Sequence, residues 1–395
     1  MRIAITGVHQ ALVGGAETYL AWLLRALVAR GHEVAFGFEY PARDPEQAVD
    51  RDLEPLKRWN IGALQRTEFL TEVARFRPDI VFLQAASDES LDFELSQRFR
   101  SVLFAHAFYG TCATGWKAHR LPVIRTCTRR FGPACLPLNY LIGCGARNPA
   151  QLLRMYSAQR ARLNILHRVA GLVVASDYMR QVCIQNGVEE RLMRVLPYVN
   201  LEPDGVPPER RESPQRVLFL SRFGPGKGGE RAIQAVARCQ RSLPDRPLHL
   251  TMAGDGPDLA RCQRLAAKLG IVTDFPGWVD AERRLALLRD SDVLIVPSLW
   301  PEPFGMVGVE AGSFGVPAVA YATGGIVDWL RPGENGEAAE PYGSGSLALA
   351  LERALRDPEH HHRLQLGAWQ TAHEFSAQRH ITGLETFFQD LSLST

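Results

Sequence analysis

Short apolar runs alternate with amphipathic stretches from one end of the chain to the other, the pattern that parallel sheets wrapped by helices leave in a sequence. In the first half, the runs at Arg2–Thr6, Glu33–Phe38, Asp79–Leu83, Val102–Ala105, Gly171–Ala175 and Arg194–Pro197 read as strands. Between the first two, residues 15 to 30 repeat their apolar positions at helical spacing, and Gly31 supplies a stop after the last turn. A second alternating set follows at Arg216–Leu220, Pro247–Ala253, Thr273–Phe275, Val293–Pro297 and Pro317–Tyr321, with helices at Gly229–Arg241, Leu259–Leu269 and Arg283–Asp290. Between the two sets, Asn200 to Pro214 is rich in proline and charge and has no periodicity, which marks it as a linker. The tail from Ala372 to Leu393 reads as a terminal helix. No tandem repeat interrupts this order.

A chain of 395 residues exceeds the size at which one core stops growing, so two domains are expected, at 1–205 and 213–371, followed by a terminal segment at 372–395. Hydrophobic residues make up 46% and charged residues 22%, ordinary globular values, and no run approaches the ~18 apolar residues of a spanning helix. Met1 leads straight into a strand pattern without the charged start and apolar stretch of a secretion signal, so a cytoplasmic location is expected. The net charge of +2 hides an uneven distribution. From Leu95 to Ser176 there is no Asp or Glu, while twelve Lys and Arg residues fall there, which predicts a cationic face on the first half.

Candidate chemistry concentrates in the second half. In Pro297-Ser-Leu-Trp-Pro-Glu-Pro-Phe-Gly-Met-Val-Gly-Val-Glu310 a buried strand ends, a loop carries Glu302, and a helix beginning near Gly305 carries Glu310. The backbone N–H groups of Gly305, Met306 and Val307 would lie at the positive end of that helix and suit a phosphate. Two carboxylates beside a phosphate make sense only if they face hydroxyl groups, as a sugar and a ribose would supply; otherwise they are solvated surface acids. Upstream, Arg222 leaves a strand end and a glycine-rich turn presents Lys227, two fixed cations suited to a diphosphate. The same segment also reads as a basic surface turn. A Walker loop is excluded, because Ser221 stands where its first glycine belongs and Gly228 replaces its Ser or Thr. Gly254-Asp255-Gly256 is no dinucleotide fingerprint either, since Leu259 holds the third glycine position; it reads as a turn after a buried strand.

In the first half, Gly14 and Gly15 open the first helix and permit close backbone approach of a ligand. His106 follows a strand, at the end where α/β proteins bind ligands, although a lone histidine is also a common structural residue. Residues 109–168 form a basic insertion without a clean strand or helix. It holds Cys112, Cys127, Cys135 and Cys144, open to two readings: zinc or iron–sulfur ligands that organise the segment, or thiols packed as small hydrophobes. No nucleic-acid module is visible.

Taken together, the GGAE opening at Gly14, the RGHEV ending at Val34, the SRF and GKGG segments, AGDGP, the E-x7-E pair Glu302 and Glu310, Thr323-Gly324-Gly325-Ile326 and Asn335-Gly336 resemble the retaining glycosyltransferases of the two-Rossmann GT-B architecture, in particular family 4. The resemblance implies an α/β fold of two doubly wound parallel sheets facing across a cleft, with the C-terminal helix crossing back to the first domain. It implies a hexosyltransferase of cell-surface polysaccharide or glycoconjugate synthesis, moving a hexose-type sugar from a nucleotide-diphosphate sugar to a glycan or lipid-linked acceptor with retained configuration. In that scheme Arg222 and Lys227 hold the diphosphate, Glu310 the ribose, Glu302 a sugar hydroxyl, and the Gly305–Val307 backbone the phosphate or sugar. His106 and the Gly14–Gly15 loop come from the acceptor domain, and no metal or other cofactor is required. The cationic insertion is open to two readings: an anionic membrane surface as a further partner, at the inner face, or a solvated basic surface. A glycosyl phosphorylase of the same architecture and a silent binding scaffold remain as alternatives.

Overall fold

Buried apolar runs pair edge to edge because their backbone N–H and C=O groups need partners away from water. The computed structural model describes residues 1–199, 206–210, 212–213 and 215–393, and shows two extended parallel sheets. The chain divides into two compact units. The first contains Met1–Lys117, Thr128–Val199 and the tail from Gln378; the second contains Ala118–Cys127 and the second half of the chain as far as Ala377. Most of the expected linker Asn200–Pro214 lies outside the described residues.

The first unit runs β1 (Arg2–His9), α1 (Gly15–Ala29), β2 (Glu33–Tyr40), β3 (Lys57–Asn60), α2 (Arg66–Phe76), β4 (Ile80–Leu83), α3 (Glu89–Arg98) and β5 (Ser101–Ala105). After a small hairpin, β6 (Ala118–His119) and β7 (Arg125–Thr126), it continues with α4 (Cys135–Ile142), α5 (Pro149–Leu166), β8 (Gly171–Val174), α6 (Asp177–Gln185) and β9 (Met193–Val195). The sheet order is β3-β2-β1-β4-β5-β8-β9, the chain starting at the centre and winding outward in both directions. Ile3 faces Val34 on one side and Ile80 on the other, and all three are buried. That explains their uninterrupted apolar runs.

Two expectations for residues 109–168 are corrected. The stretch is not irregular: α5 begins where the Asn148 side chain accepts the N–H of Gln151 and Pro149 takes the first helical position, a start signal present in the sequence. Nor are all its cations displayed on a face. Lys117 is buried, its ammonium donating to the carbonyl of Arg129 at 2.6 Å, and Arg162 and Arg168 lie over the rings of Tyr109 and Phe93. The hairpin at 118–127 was not foreseen, and it groups with the second unit.

The second unit runs β10 (Arg216–Leu220), α7 (Gly229–Ser242), β11 (His249–Ala253), α8 (Leu259–Leu269), β12 (Thr273–Gly277), α9 (Ala281–Asp290), β13 (Val293–Val296), α10 (Met306–Gly312), β14 (Ala318–Tyr321), β15 (Gly336–Ala339), α11 (Ser344–Arg356) and α12 (Pro358–Glu374). In its parallel sheet, β12-β11-β10-β13-β14-β15, the order in which the chain adds strands reverses between β10 and β13, which is where open α/β sheets bind ligands. Val217, Phe219, Ile233, Val236, Ile295 and Leu351 form part of its core.

The last helix, α13 (Ala377–Leu393), packs in the first unit. Phe388 is fully buried with its ring 5.1 Å from Phe82, and a Cβ at Gly171 would lie 2.5 Å from Phe387. Glu385 bridges to Arg30 at 2.9 Å and His32 at 2.8 Å. Phe388→Ala removes a buried ring from this contact and is expected to destabilise by about 3–5 kcal/mol. In urea unfolding the transition of the first unit should shift to lower denaturant while that of the second stays in place.

Candidate functional site

In the second unit, backbone contacts fix the loops before any side chain is considered. Gly254 and Gly256, at φ of +134° and +145°, bring their Cα atoms so near the loop after β10 that a Cβ would lie 2.1 Å from the carbonyl oxygen of Ser221 and 2.2 Å from that of Phe223. The turn is a shelf for the segment bearing Arg222, and Phe223 donates its N–H to Asp255 at 2.8 Å. Gly228, at φ +74°, allows the same closeness to Pro297, and the Leu299 N–H reaches Gly226 at 2.6 Å. The loops after β10 and β13 are therefore interlocked. Gly325 donates to the carbonyl of Glu302 at 2.7 Å, which ties the second of these loops to the end of β14.

On this frame, Glu302 and Lys227 meet. Glu302 is buried, and its Oε1 accepts from Lys227 Nζ at 2.8 Å, Ser298 Oγ at 2.6 Å and Trp300 Nε1 at 2.9 Å. The Lys227 ammonium also lies 5.1 Å from the Trp300 ring centroid. All three donors fall on one oxygen, so Oε2 keeps its accepting capacity. Arg222 is exposed and makes no ion pair among the described residues. Glu310, on α10, pairs instead with Arg284 of α9. Gly305 caps α10 at φ +83°, and Met306 and Val307 form the first turn, half-buried.

Sequence reasoning singled out Lys227 and Glu302 separately and missed their ion pair. It also missed Ser298, Trp300 and Arg284. Ser298 and Trp300 precede Glu302 by four and two positions, a proximity that would have marked them; Arg284 sits on an ordinary amphipathic helix and carries no such signal.

In the first unit, His106 follows β5 and is held at both ring nitrogens, by Tyr198 OH at 2.6 Å and Gln84 Oε1 at 2.7 Å. An amide oxygen only accepts, so Nε2 carries the proton and Nδ1 accepts from the tyrosine. Burial pushes the imidazole down to about 4, so it is neutral near pH 7. His380, from α13, is likewise lowered to about 4 by burial; it donates from Nδ1 to the Pro197 carbonyl and accepts from Tyr19 OH. Gly14 caps α1 in extended backbone, and a Cβ at Gly15 would meet nothing within 4 Å. The protein's own packing leaves that helix start open.

The cysteines do not make a metal centre. Among the described residues no three His, Cys, Asp or Glu side chains gather as ligands, and none of the four cysteines forms a disulfide. Cys112 instead accepts the Lys117 N–H at 3.2 Å. The residues present do not fit zinc or an iron–sulfur cluster, which needs thiolates converging on one point.

Two parallel sheets of this order, each with helices wound about it, define a two-domain α/β protein of the GT-B type. Residues 14–199 match the family model described as Glycosyl transferase 4-like domain, and residues 206–368 match Glycosyl transferases group 1. The chain thus carries the paired domains of a GT-B glycosyltransferase, the 4-like domain first and the group 1 domain second. Among curated relatives, glycogen synthase of Mycobacterium tuberculosis (strain H37Rv) is 32% identical over 43% of this chain and 43% of its own length. The chain thus covers less than half the length of this relative. D-inositol 3-phosphate glycosyltransferase of Thermomonospora curvata is 24% identical over 93% of this chain and 90% of that protein. Sucrose-phosphate synthase from Thermosynechococcus elongatus superposes with a TM-score of 0.73 at 20% identity, covering 100% of both chains. Anabaena HepE in complex with UDP and glucose superposes with a TM-score of 0.67 at 19% identity, covering 99% of each.

The two lowered histidines make a pH prediction for the first unit. A base whose folded pKa lies below its ordinary 6.5 takes up its proton first in the unfolded chain. Stability from this source is constant above about pH 6.5 and falls as the pH drops toward 4. His106→Gln is expected to flatten that fall, read from urea midpoints at pH 7.5 and pH 5.

Proposed function

We propose that the protein is a retaining hexosyltransferase that uses a nucleotide-diphosphate sugar and delivers the sugar to a glycan or lipid-linked acceptor in cell-surface glycoconjugate synthesis. The observation that carries this reading is the Lys227–Glu302 pair: a buried carboxylate fixed through Oε1, with Oε2 left for a substrate hydroxyl; Arg222, on the same loop as Lys227, is exposed. Arg222 would fork onto the diphosphate. Lys227 has three N–H donors, so it can keep Glu302 and still reach a phosphate oxygen. These cations would neutralise the charge that grows on the leaving diphosphate. The first-turn N–H groups of α10 at Met306 and Val307 would add donors to the phosphate or sugar, with Gly305 leaving the approach open. Glu310, restrained by Arg284, would accept from the ribose hydroxyls.

In the first unit, neutral His106, both ring nitrogens engaged by Gln84 and Tyr198, would shape the acceptor side without adding a cation there. The open start of α1 at Gly14 and Gly15 would admit the substrate backbone-close. Retention would follow from a leaving phosphate oxygen taking the acceptor proton on the face it departs from, a route that needs no protein nucleophile. The UDP bound to the structurally similar HepE supports a nucleoside diphosphate as donor moiety. No helix among the described residues is long and apolar enough to cross a membrane. We further propose a cytoplasmic location, with any contact at the inner membrane face peripheral.

Thermal stabilisation by UDP, GDP, ADP and inorganic phosphate tests the donor. One nucleoside diphosphate at a hundred times its Kd is expected to stabilise by about 2.7 kcal/mol, with the effect lost in Arg222→Ala and Glu310→Ala. Stabilisation by phosphate alone would favour a phosphorylase, and stabilisation by none a binding scaffold. With the donor known, proton NMR of the product reports its anomeric configuration, and inversion would overturn the retaining assignment.

A further inference from the structure

The second unit holds another feature that the donor chemistry does not use. The chain enters it at Ala118, forms the β6–β7 hairpin and leaves after Cys127. Tyr342 holds the hairpin down: its hydroxyl accepts the N–H of Thr126 at 2.9 Å and donates to Thr126 Oγ1 at 3.1 Å, while the Arg125 guanidinium lies 5.6 Å from its ring centroid. Tyr342 does so from φ +76°, a region that costs a non-glycine residue roughly 1–3 kcal/mol unless its surroundings fix it.

Beneath the hairpin lies a cavity of about 710 Å³, within the ~300–1,000 Å³ range of small-ligand sites. Arg222, Lys227, Glu302 and Glu310 do not line it. Four guanidinium groups do: Arg120 and Arg125 from the hairpin, Arg231 on α7 and Arg261 on α8. Arg261 is neutralised by Glu230 at 2.8 Å and lies 3.8 Å from Asp258. Arg125 and Arg231 make no ion pair among the described residues; Arg231 reaches only Gln234, at 3.3 Å. The Tyr342 ring, Ile124 and Leu299 complete the wall with flat or apolar surface.

This lining selects a class of ligand. Two uncompensated guanidinium groups call for an oxyanion. Glu230, Asp258 and Gln234 beside them would repel or waste a bare phosphate, but they accept from hydroxyl groups. An aromatic ring and aliphatic side chains suit the C–H face of a sugar ring. We propose that this cavity is a second ligand site, for a small anionic carbohydrate, either a sugar phosphate or a uronic acid. Its floor is the loop from Phe223 to Gly229, the same loop that carries Lys227 toward Glu302, so occupancy restrains the ion pair from behind.

Isothermal titration of the full-length protein with glucose 6-phosphate, glucuronate, glucose and inorganic phosphate tests this. One of the two anionic sugars is expected to bind, and which one separates phosphate from carboxylate recognition. Glucose and inorganic phosphate should each bind at least about tenfold more weakly, a difference of ~1.4 kcal/mol. Arg125→Ala and Arg231→Ala should each weaken the anionic sugar about tenfold or more, and Arg222→Ala should leave it unchanged. If Arg125→Ala loosens the hairpin and lowers Tm, Arg231→Ala on α7 decides alone. The proposal is overturned if neither anionic sugar binds, if inorganic phosphate binds as tightly, or if folded Arg231→Ala binds like the parent protein. Nucleoside diphosphate stabilisation reads the other site, so failure here leaves the donor assignment standing.

Discussion

A single carboxylate oxygen, Glu302 Oε1, accepts three hydrogen bonds, and much of the second unit exists to make that convergence possible. A buried carboxylate is costly unless charge and donors meet it, and Lys227, Ser298 and Trp300 do so from two different loops. Those loops hold their distance through glycines. At Gly228 and Gly324 the chain approaches Pro297 and Glu302 so closely that any side chain would collide with backbone. Side-chain chemistry at the site thus depends on backbone packing, which depends on where the sequence omits a Cβ.

This dependence explains what was legible in the sequence. The inner strands of both sheets announce themselves, because a parallel strand covered on both faces must be a continuous apolar run. The edges do not. β3 reads Lys-Arg-Trp-Asn and β15 reads Gly-Glu-Ala-Ala, and neither carries the branched apolar residues of a central strand. The glycines of AGDGP and GKGG are visible as letters, but which backbone each accommodates appears only when the sheet brings Ser221 and Pro297 beside them. Lys227 and Glu302 were recognisable as charges; that they pair is a tertiary fact, since 75 positions separate them.

The stretch between Tyr109 and Arg168 shows the opposite failure. Its cysteines and arginines suggested a metal or an open cationic face, because residue types were read without their partners. In the fold Lys117 caps backbone carbonyls in the interior, Arg162 and Arg168 lie over aromatic rings, and a hairpin packs against Tyr342. Composition registers the charges equally in every case. Only the fold separates those held on carbonyls or rings from those, such as Arg231, that make no ion pair among the described residues.

The central claim is that Lys227 and Glu302 act as one device in holding the donor. A double-mutant cycle on nucleoside diphosphate affinity, with Lys227→Met, Glu302→Gln and the double variant, measures this most directly. The account predicts a coupling of about 0.5–3 kcal/mol, the double variant binding much as the weaker single variant does. Strictly additive losses would show that the two residues serve the ligand independently and that the ion pair is only structural.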